Sequence, residues 1–166
     1  MGKNVIFWIG VKSTDPILLK KHSNFEYLDV SKKSWEYWCS KNDVVFYEYK
    51  EPRDLDTGKN LVTWQRWFDV FEQLEDSKIE FNKVALVDAS SIVKWDAPNF
   101  FNEVNTNPVA FRSLENIKWI YEGVKGYSKL FNDYDFKLTE YVSCGFQIFD
   151  KSHKPFLDKV KKFYYA

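Results

Sequence analysis

The chain has 166 residues, 45% hydrophobic and 29% charged, the size and balance of one globular domain spanning 1–166 with one sizeable core. Its 24 Lys and Arg offset 24 Asp and Glu, so there is no electrostatic footprint for nucleic acid and no nucleic-acid partner is expected. Cys39 and Cys144 stand far apart without metal-ligand spacing, which argues against a disulfide framework or zinc site and points to a cytoplasmic protein with two reduced thiols.

In chain order, residues 5–11 form a continuous apolar run that reads as a strand buried on both faces. The run is too short to span a bilayer, no small-residue cleavage site follows it, and Ile6 stands where a myristoylation signal wants Ser or Thr. No membrane span is expected. Asp15-Pro16 reads as an N-cap and first helical residue, opening a short helix through about residue 22. Residues 25–30 read as a short extended piece, and 31–42 as a helix carrying Trp35, Trp38 and Cys39. Residues 43–52, "DVVFYEYKEP", read as the second strand, stopped by Pro52.

A polar loop over 51–60 leads to the clearest helix, where Leu61, Trp64, Trp67, Phe68, Phe71 and Leu74 make one apolar stripe. The third strand, "KVALVD", follows. Residues 97–108 read as loop or short helix, 109–112 as a strand, 115–124 as a helix and 142–149 as a further strand. Pro155 opens a last amphipathic helix through Phe156, Val160 and Phe163. Strands alternating with helices predict an α/β fold with a mostly parallel central sheet flanked by helices. Seven Trp, ten Tyr and fifteen Phe exceed the needs of such a core, so some aromatics are expected to line a groove or partner surface.

The stretch "NKVALVDASSIVKWDAP" (82–98) poses a chemical question: an apolar strand ends in Asp88, followed by Ala89-Ser90-Ser91 with no glycine to make a turn. In open α/β sheets, ligands bind outside the carboxyl ends of the strands, which is where this acid falls. The plainer reading is that Asp88 caps the next turn. The helix before the strand carries Arg66 in "TWQRWF", a basic residue off the apolar stripe.

In order and spacing these segments resemble the nucleotide-sugar glycosyltransferases of the GT-A fold, a Rossmann-like architecture. "DAS" (88–90) stands where that family has Asp-x-Asp, "KWDAPNFF" (94–101) is similar to its trailing segment, and "YVSCGFQIFDKSH" (141–153) resembles its Asn-Ser-Gly strand. Ser90 replaces the second acid and Ser143 the Asn. The resemblance implies a UDP-sugar donor, an unidentified glycan, lipid or protein acceptor, and Mn2+ or Mg2+ to neutralise the leaving diphosphate. It places Asp88 and Ser90 at the metal. His153 is a third ligand on that reading, or simply the start of the last helix.

The same resemblance puts the nucleotide near Gly10, Val11, Ser13 and Asp15, with Tyr49, Arg66 and Asp88 as further contacts. Tyr49 is equally an ordinary half-buried strand tyrosine, and Arg66 a solvated helix arginine. Trp119 and Tyr127 are candidates to stack on a sugar, or are core, and Ser143 and Cys144 fall near the transferred sugar or acceptor. Glu115, Glu122 and Glu140 are equal candidates for a catalytic base, and neither inversion nor retention is implied. A relative that binds nucleotide or carbohydrate without turnover is the alternative function. A nucleotidyltransferase fits less well, since "GVKSTDP" holds only Gly10 where a glycine-rich phosphate loop is needed.

Overall fold

The computed structural model describes residues 2–11, 25–51, 62–105, 109–112, 116–129, 131 and 134–166. Five strands form one sheet: β1 (Lys3–Ile9), β2 (Val45–Tyr49), β3 (Phe81–Asp88), β4 (Val109–Arg112) and β5 (Val142–Asp150), in the order β2-β1-β3-β5-β4. β1 runs parallel to β2 and β3, while β5 runs antiparallel to both β3 and β4. Four strands therefore point one way and one returns, the mostly parallel sheet expected of the alternating pattern.

Among the described residues, helices α1 (Glu26–Asn42), α2 (Val62–Asp76), α3 (Ile117–Ser128) and α4 (Lys154–Tyr165) accompany the sheet. Alternate residues of the central strands feed two cores. Val5, Phe7, Val84 and Leu86 pack with Val70, Phe71 and Leu74 of α2 and Leu157 of α4. Ile6, Trp8, Ala85 and Val87 pack on the other face with Leu28, Trp35 and Trp38 of α1. With both faces covered, β1 and β3 have no polar face, which explains their unbroken apolar runs.

The segment after β3 thickens the α1 layer. Trp38 stacks on Phe100 with ring centroids 4.4 Å apart, and its indole N–H donates to the Ala97 carbonyl at 3.0 Å. "KWDAPNFF" thus packs through Ala97, Phe100 and Phe101 while Lys94, Trp95 and Asp96 stay exposed, and Asn99 caps the 3-10 turn Phe100–Glu103 by accepting from the Phe101 N–H.

Two expectations about the elements need correction. Residues 26–30 are the first turn of α1 rather than extended chain. Leu28, Ser31, Trp35, Trp38 and Cys39 share its buried face, and the serine in that stripe hid its helical period. In α4, Leu157 is the fully buried apolar residue, whereas Phe156 and Phe163 are more than half exposed. The expected helix over 15–22, most of the 51–60 loop, Leu61 and Glu115 lie outside the described residues. No helix among the described residues is long and apolar enough to cross a membrane.

Candidate functional site

Strand register sets the site. Ile9 of β1 pairs with Tyr49 of β2 on one side and Asp88 of β3 on the other, so three parallel strands end level. Beyond them the Gly10 N–H donates to the Tyr49 carbonyl at 3.0 Å. On the far side of β3, Val87 pairs with Phe146, which puts Ser143-Cys144-Gly145 of the incoming β5 beside the Asp88 carboxylate. These are the carboxyl ends at which open α/β sheets bind ligands.

The turn after Asp88 forms without glycine because side chains of α1 hold it. The Ser91 N–H donates to the Asp88 carbonyl at 2.9 Å, closing a four-residue turn, and the Ser91 hydroxyl donates to the same oxygen. Ser31, wholly buried on α1, accepts from the Trp8 indole at 3.0 Å and donates to the Ser91 carbonyl at 2.5 Å. The Trp35 indole reaches the Ser91 hydroxyl at 3.2 Å. Trp8, Ser31, Trp35 and Ser91 therefore fix the turn by pairing groups that burial would otherwise leave unsatisfied. The sequence reading missed Ser31 and Ser91, and its one accessible signal was the serine interrupting an aromatic helical stripe.

The turn leaves the Asp88 side chain to other work. Its Oδ1 is ion-paired with Arg66 Nη1, and Arg66 Nη2 donates to the Cys144 carbonyl at 2.8 Å. Arg66 is 3% exposed, so it is not a solvated helix arginine; it ties α2, β3 and β5 together from beneath. The Asp88 side chain is 39% exposed, and the pair therefore presents a carboxylate to solvent from a buried cationic anchor. Gly145 leaves room beside it: a Cβ there would lie 3.4 Å from Asp88 Oδ2 and 3.4 Å from Ser143 Oγ. The Gly145 N–H donates to that Ser143 hydroxyl at 3.2 Å.

Glycine at position 10 answers a closer approach. A Cβ there would fall 2.0 Å from Cζ3 of Trp8, whose indole is already fixed by Ser31. Val11 packs against the core on the α2 side of the sheet, and Ser13 and Asp15 lie outside the described residues.

Two of the expected contacts stand elsewhere. Tyr49 is 1% exposed, with its ring tilted against Phe7 and its hydroxyl donating to Asp69 Oδ2 at 2.8 Å, so it is a core residue and not a stacking partner for a base. His153 lies at the other end of the sheet, because its neighbour Asp150 pairs with Lys83 at the start of β3. Five residues of strand, about 17 Å, separate that end from Asp88. There His153 Nδ1 accepts from the Asp150 N–H at 3.0 Å while Asp150 accepts from Ser152, a capping box that starts the last helix. His153 is thus a capping residue and no ligand to an ion at Asp88.

The remaining candidates flank the site on the β5 side. Tyr127 and Cys144 share the wall of a cavity of about 650 Å3, and exposed Trp119 sits edge-on to Tyr141 in the same wall, ring centroids 5.8 Å apart. Burial raises the Cys144 thiol above its ordinary range, with Arg66 opposing and Asp88 adding to the effect, so nothing here activates the sulfur as a catalytic nucleophile. Glu122 is exposed on α3, and Glu140 ends the 3-10 turn before β5.

A divalent cation needs several oxygen ligands. The described side chains offer Asp88 Oδ2 and, two residues on, the exposed Ser90, since Oδ1 is held by Arg66. No group of three His, Cys, Asp or Glu among the described residues is arranged to hold a metal. Among the described residues, this donor set alone does not fit a bound cation.

No family model matches the sequence, and no curated protein matches it by sequence. Among solved structures, the chain is similar to a glycosyltransferase involved in the glycosylation of the major capsid of PBCV-1, with a TM-score of 0.58 and 12% identity. The match covers 95% of this chain and 64% of that one, so the chain spans less than two thirds of its neighbour's length. At this identity the likeness concerns fold alone: the five-stranded, mostly parallel sheet with flanking helices is similar to the fold of that neighbour.

Proposed function

We propose that this chain is a glycosyltransferase that takes a sugar from a nucleotide-sugar donor, a UDP-sugar, and passes it to a hydroxyl of a glycan, lipid or protein. The observation that carries the reading is the Asp88 carboxylate, anchored from below by Arg66 and set at the level ends of β1 and β3 beside Cys144 and Gly145. The shared fold supports it. In the reaction the bond from the anomeric carbon to the diphosphate oxygen breaks, its electron pair leaving with the nucleoside diphosphate. The acceptor oxygen forms the new bond and releases its proton.

Arg66 is buried and has both Nη atoms engaged, so its part is to position Asp88 and the start of β5 rather than to grip phosphate. Manganese or magnesium would enter as part of the incoming metal–nucleotide complex, with Asp88 Oδ2 and Ser90 as the chain's candidate oxygens beside it, and would supply charge neutralisation for the diphosphate. Gly10 and Val11, at the end of β1, border the donor side of the proposed site.

Calorimetry with UDP, with and without manganese, tests the reading. UDP is expected to bind, more tightly with the metal, and at about a hundred times its dissociation constant to stabilise the fold by about 2.7 kcal/mol. If no nucleoside diphosphate binds or raises the melting temperature in either condition, the donor site is misassigned. One observation favours the alternative of a binding relative without turnover: Ser90 stands where a second carboxylate would help hold the cation. Tight UDP binding without release of UDP from any donor would select that alternative.

A further inference from the structure

The cavity that Tyr127 and Cys144 share has walls unlike the rest of the site. Tyr127, Phe131, Tyr134, Phe136, Tyr141 and Phe156 line an open pocket of about 650 Å3, and among the described residues Lys137 is the one charged residue in its lining. The rings brace one another: Tyr134 meets Phe136 at 4.7 Å between centroids, and Phe131 packs on Phe163 of α4 at 5.1 Å. The volume is that of a pocket for one small molecule. Its walls are mostly apolar ring surface, with the Tyr127, Tyr134 and Tyr141 hydroxyls and Lys137 as the few polar partners, and a guest's hydroxyl buried without a partner costs roughly 1–3 kcal/mol. Such walls suit an apolar body better than a bare sugar.

Cys144 joins this cavity to the Asp88 site. Cys144 is among the residues lining the cavity, and its carbonyl accepts from Arg66, the partner of Asp88. A molecule with its apolar part among the rings and a polar head at the Cys144 end has that head facing the proposed donor.

We infer that this cavity holds the apolar part of the acceptor, and that the acceptor is an amphiphile: a hydroxylated head carried on an alkyl or aryl tail. The inference rests on the transferase reading for the word acceptor, and on the cavity alone for the amphiphile.

Calorimetry on the full chain with n-octyl β-D-glucopyranoside below its micelle concentration, against methyl β-D-glucopyranoside, tests it. Burying the octyl tail is expected to tighten binding on the order of tenfold or more over the methyl compound. Octyl glucoside is also expected to slow alkylation of the exposed Cys144 by N-ethylmaleimide several-fold, while buried Cys39 stays unlabelled. Phe156→Asp, at an exposed helix position, is expected to abolish octyl glucoside binding and leave UDP affinity unchanged. Tyr127→Ala serves the same purpose should the charge unfold α4, with circular dichroism reporting the fold.

Equal affinities for the two glucosides, or Cys144 alkylation indifferent to the octyl compound, would overturn the inference. So would a concentration-dependent dimer that protects Cys144 without glucoside, since a second copy would then fill the cavity. If UDP binds and octyl glucoside does not, only the cavity assignment falls. If octyl glucoside binds and UDP does not, the donor reading fails and the acceptor role with it, leaving an amphiphile site.

Discussion

Asp88 and Arg66 share one ion pair but differ in what their loss would leave behind. The arginine is almost wholly buried and the aspartate is half-buried. Removing Asp88 strands a cation with little access to water, for which about 3–5 kcal/mol is typical. Removing Arg66 strands a carboxylate that water reaches, so Arg66→Met is expected to cost less, about 1–3 kcal/mol. Urea unfolding of Asp88→Ala, Arg66→Met and the double variant measures this asymmetry. The double variant is expected to be more stable than Asp88→Ala alone. Losses below about 0.5 kcal/mol for both single variants would mean the pair contributes nothing to the fold. The strand-end acid is therefore also part of what holds α2 and β5 to β3. Asp88→Asn, which keeps an oxygen for Arg66, is the better variant for isolating its effect on UDP.

Between elements, the turn after β3 is held by α1, and Ser31 is the joint. Its one hydroxyl accepts from Trp8 and donates to Ser91, so Ser31→Ala leaves a buried indole N–H and a carbonyl unpaired. The expected loss is about 1–3 kcal/mol. UDP affinity is expected to fall with it, because the freed turn carries Asp88. Ser31→Thr, which keeps the hydroxyl, is expected to recover affinity if the added methyl is accommodated. A normal UDP affinity in a destabilised Ser31→Ala would show that the turn's position does not matter to the ligand. This joint also marks how far the sequence could be read. Both-face burial left β1 and β3 legible as apolar runs, and the stripe Trp64–Phe68–Phe71–Leu74 left α2 legible. The carboxylate was legible too, because an acid closing an apolar run has no place in a core. Its supports were not. A buried serine on a helix has the local appearance of an exposed one, and only the packed fold reveals that Trp8 and Ser91 stand opposite it. His153 misled for the converse reason: proximity to β5 in sequence says nothing about which end of an antiparallel strand it occupies. Tyr49 was ambiguous until the register of β1 with β2 set its ring against Phe7.

Across the whole molecule, Cys144 excepted, the described groups with shifted protonation lie away from the Asp88 surface and set the pH limits of the fold. At the β2 edge, burial pushes the Glu48 carboxyl up, but hydrogen bonds from Lys32 and Lys50 outweigh it and hold the group below its ordinary 4.5. Asp150, at the opposite end of the sheet, is likewise held below 3.8, since Ser152 donors outweigh burial. A carboxyl depressed in the folded state stabilises it above the unfolded value and loses that contribution as pH falls through the folded one. Stability is therefore expected to decline below about pH 4.5, and Glu48→Gln to flatten the upper part of that decline. The alkaline side has another origin. Burial, aided by Glu36, pushes the Cys39 thiol from 9.0 up to about 12, and the hydrogen bond to Glu48 raises Lys32 above 10.5. Groups raised in the folded state give their full contribution below the unfolded value and lose it as pH climbs, so the fold is expected to weaken from about pH 9. Cys39 packs against Trp35 and Trp38 in the α1 core, where a thiolate has no solvation, and its share is on the order of 2–4 kcal/mol. Cys39→Ala removes that titration at the price of a small cavity, so it is expected to be less stable than the parent at pH 7 and to lose less between pH 9 and 11. Cys144→Ala, at a more open site, is expected to follow the parent more closely. Urea unfolding of the three proteins at pH 7, 9 and 11 decides the matter. Parallel losses for Cys39→Ala and the parent would place the alkaline limit at Lys32 and its contact with Glu48 instead of in the α1 core.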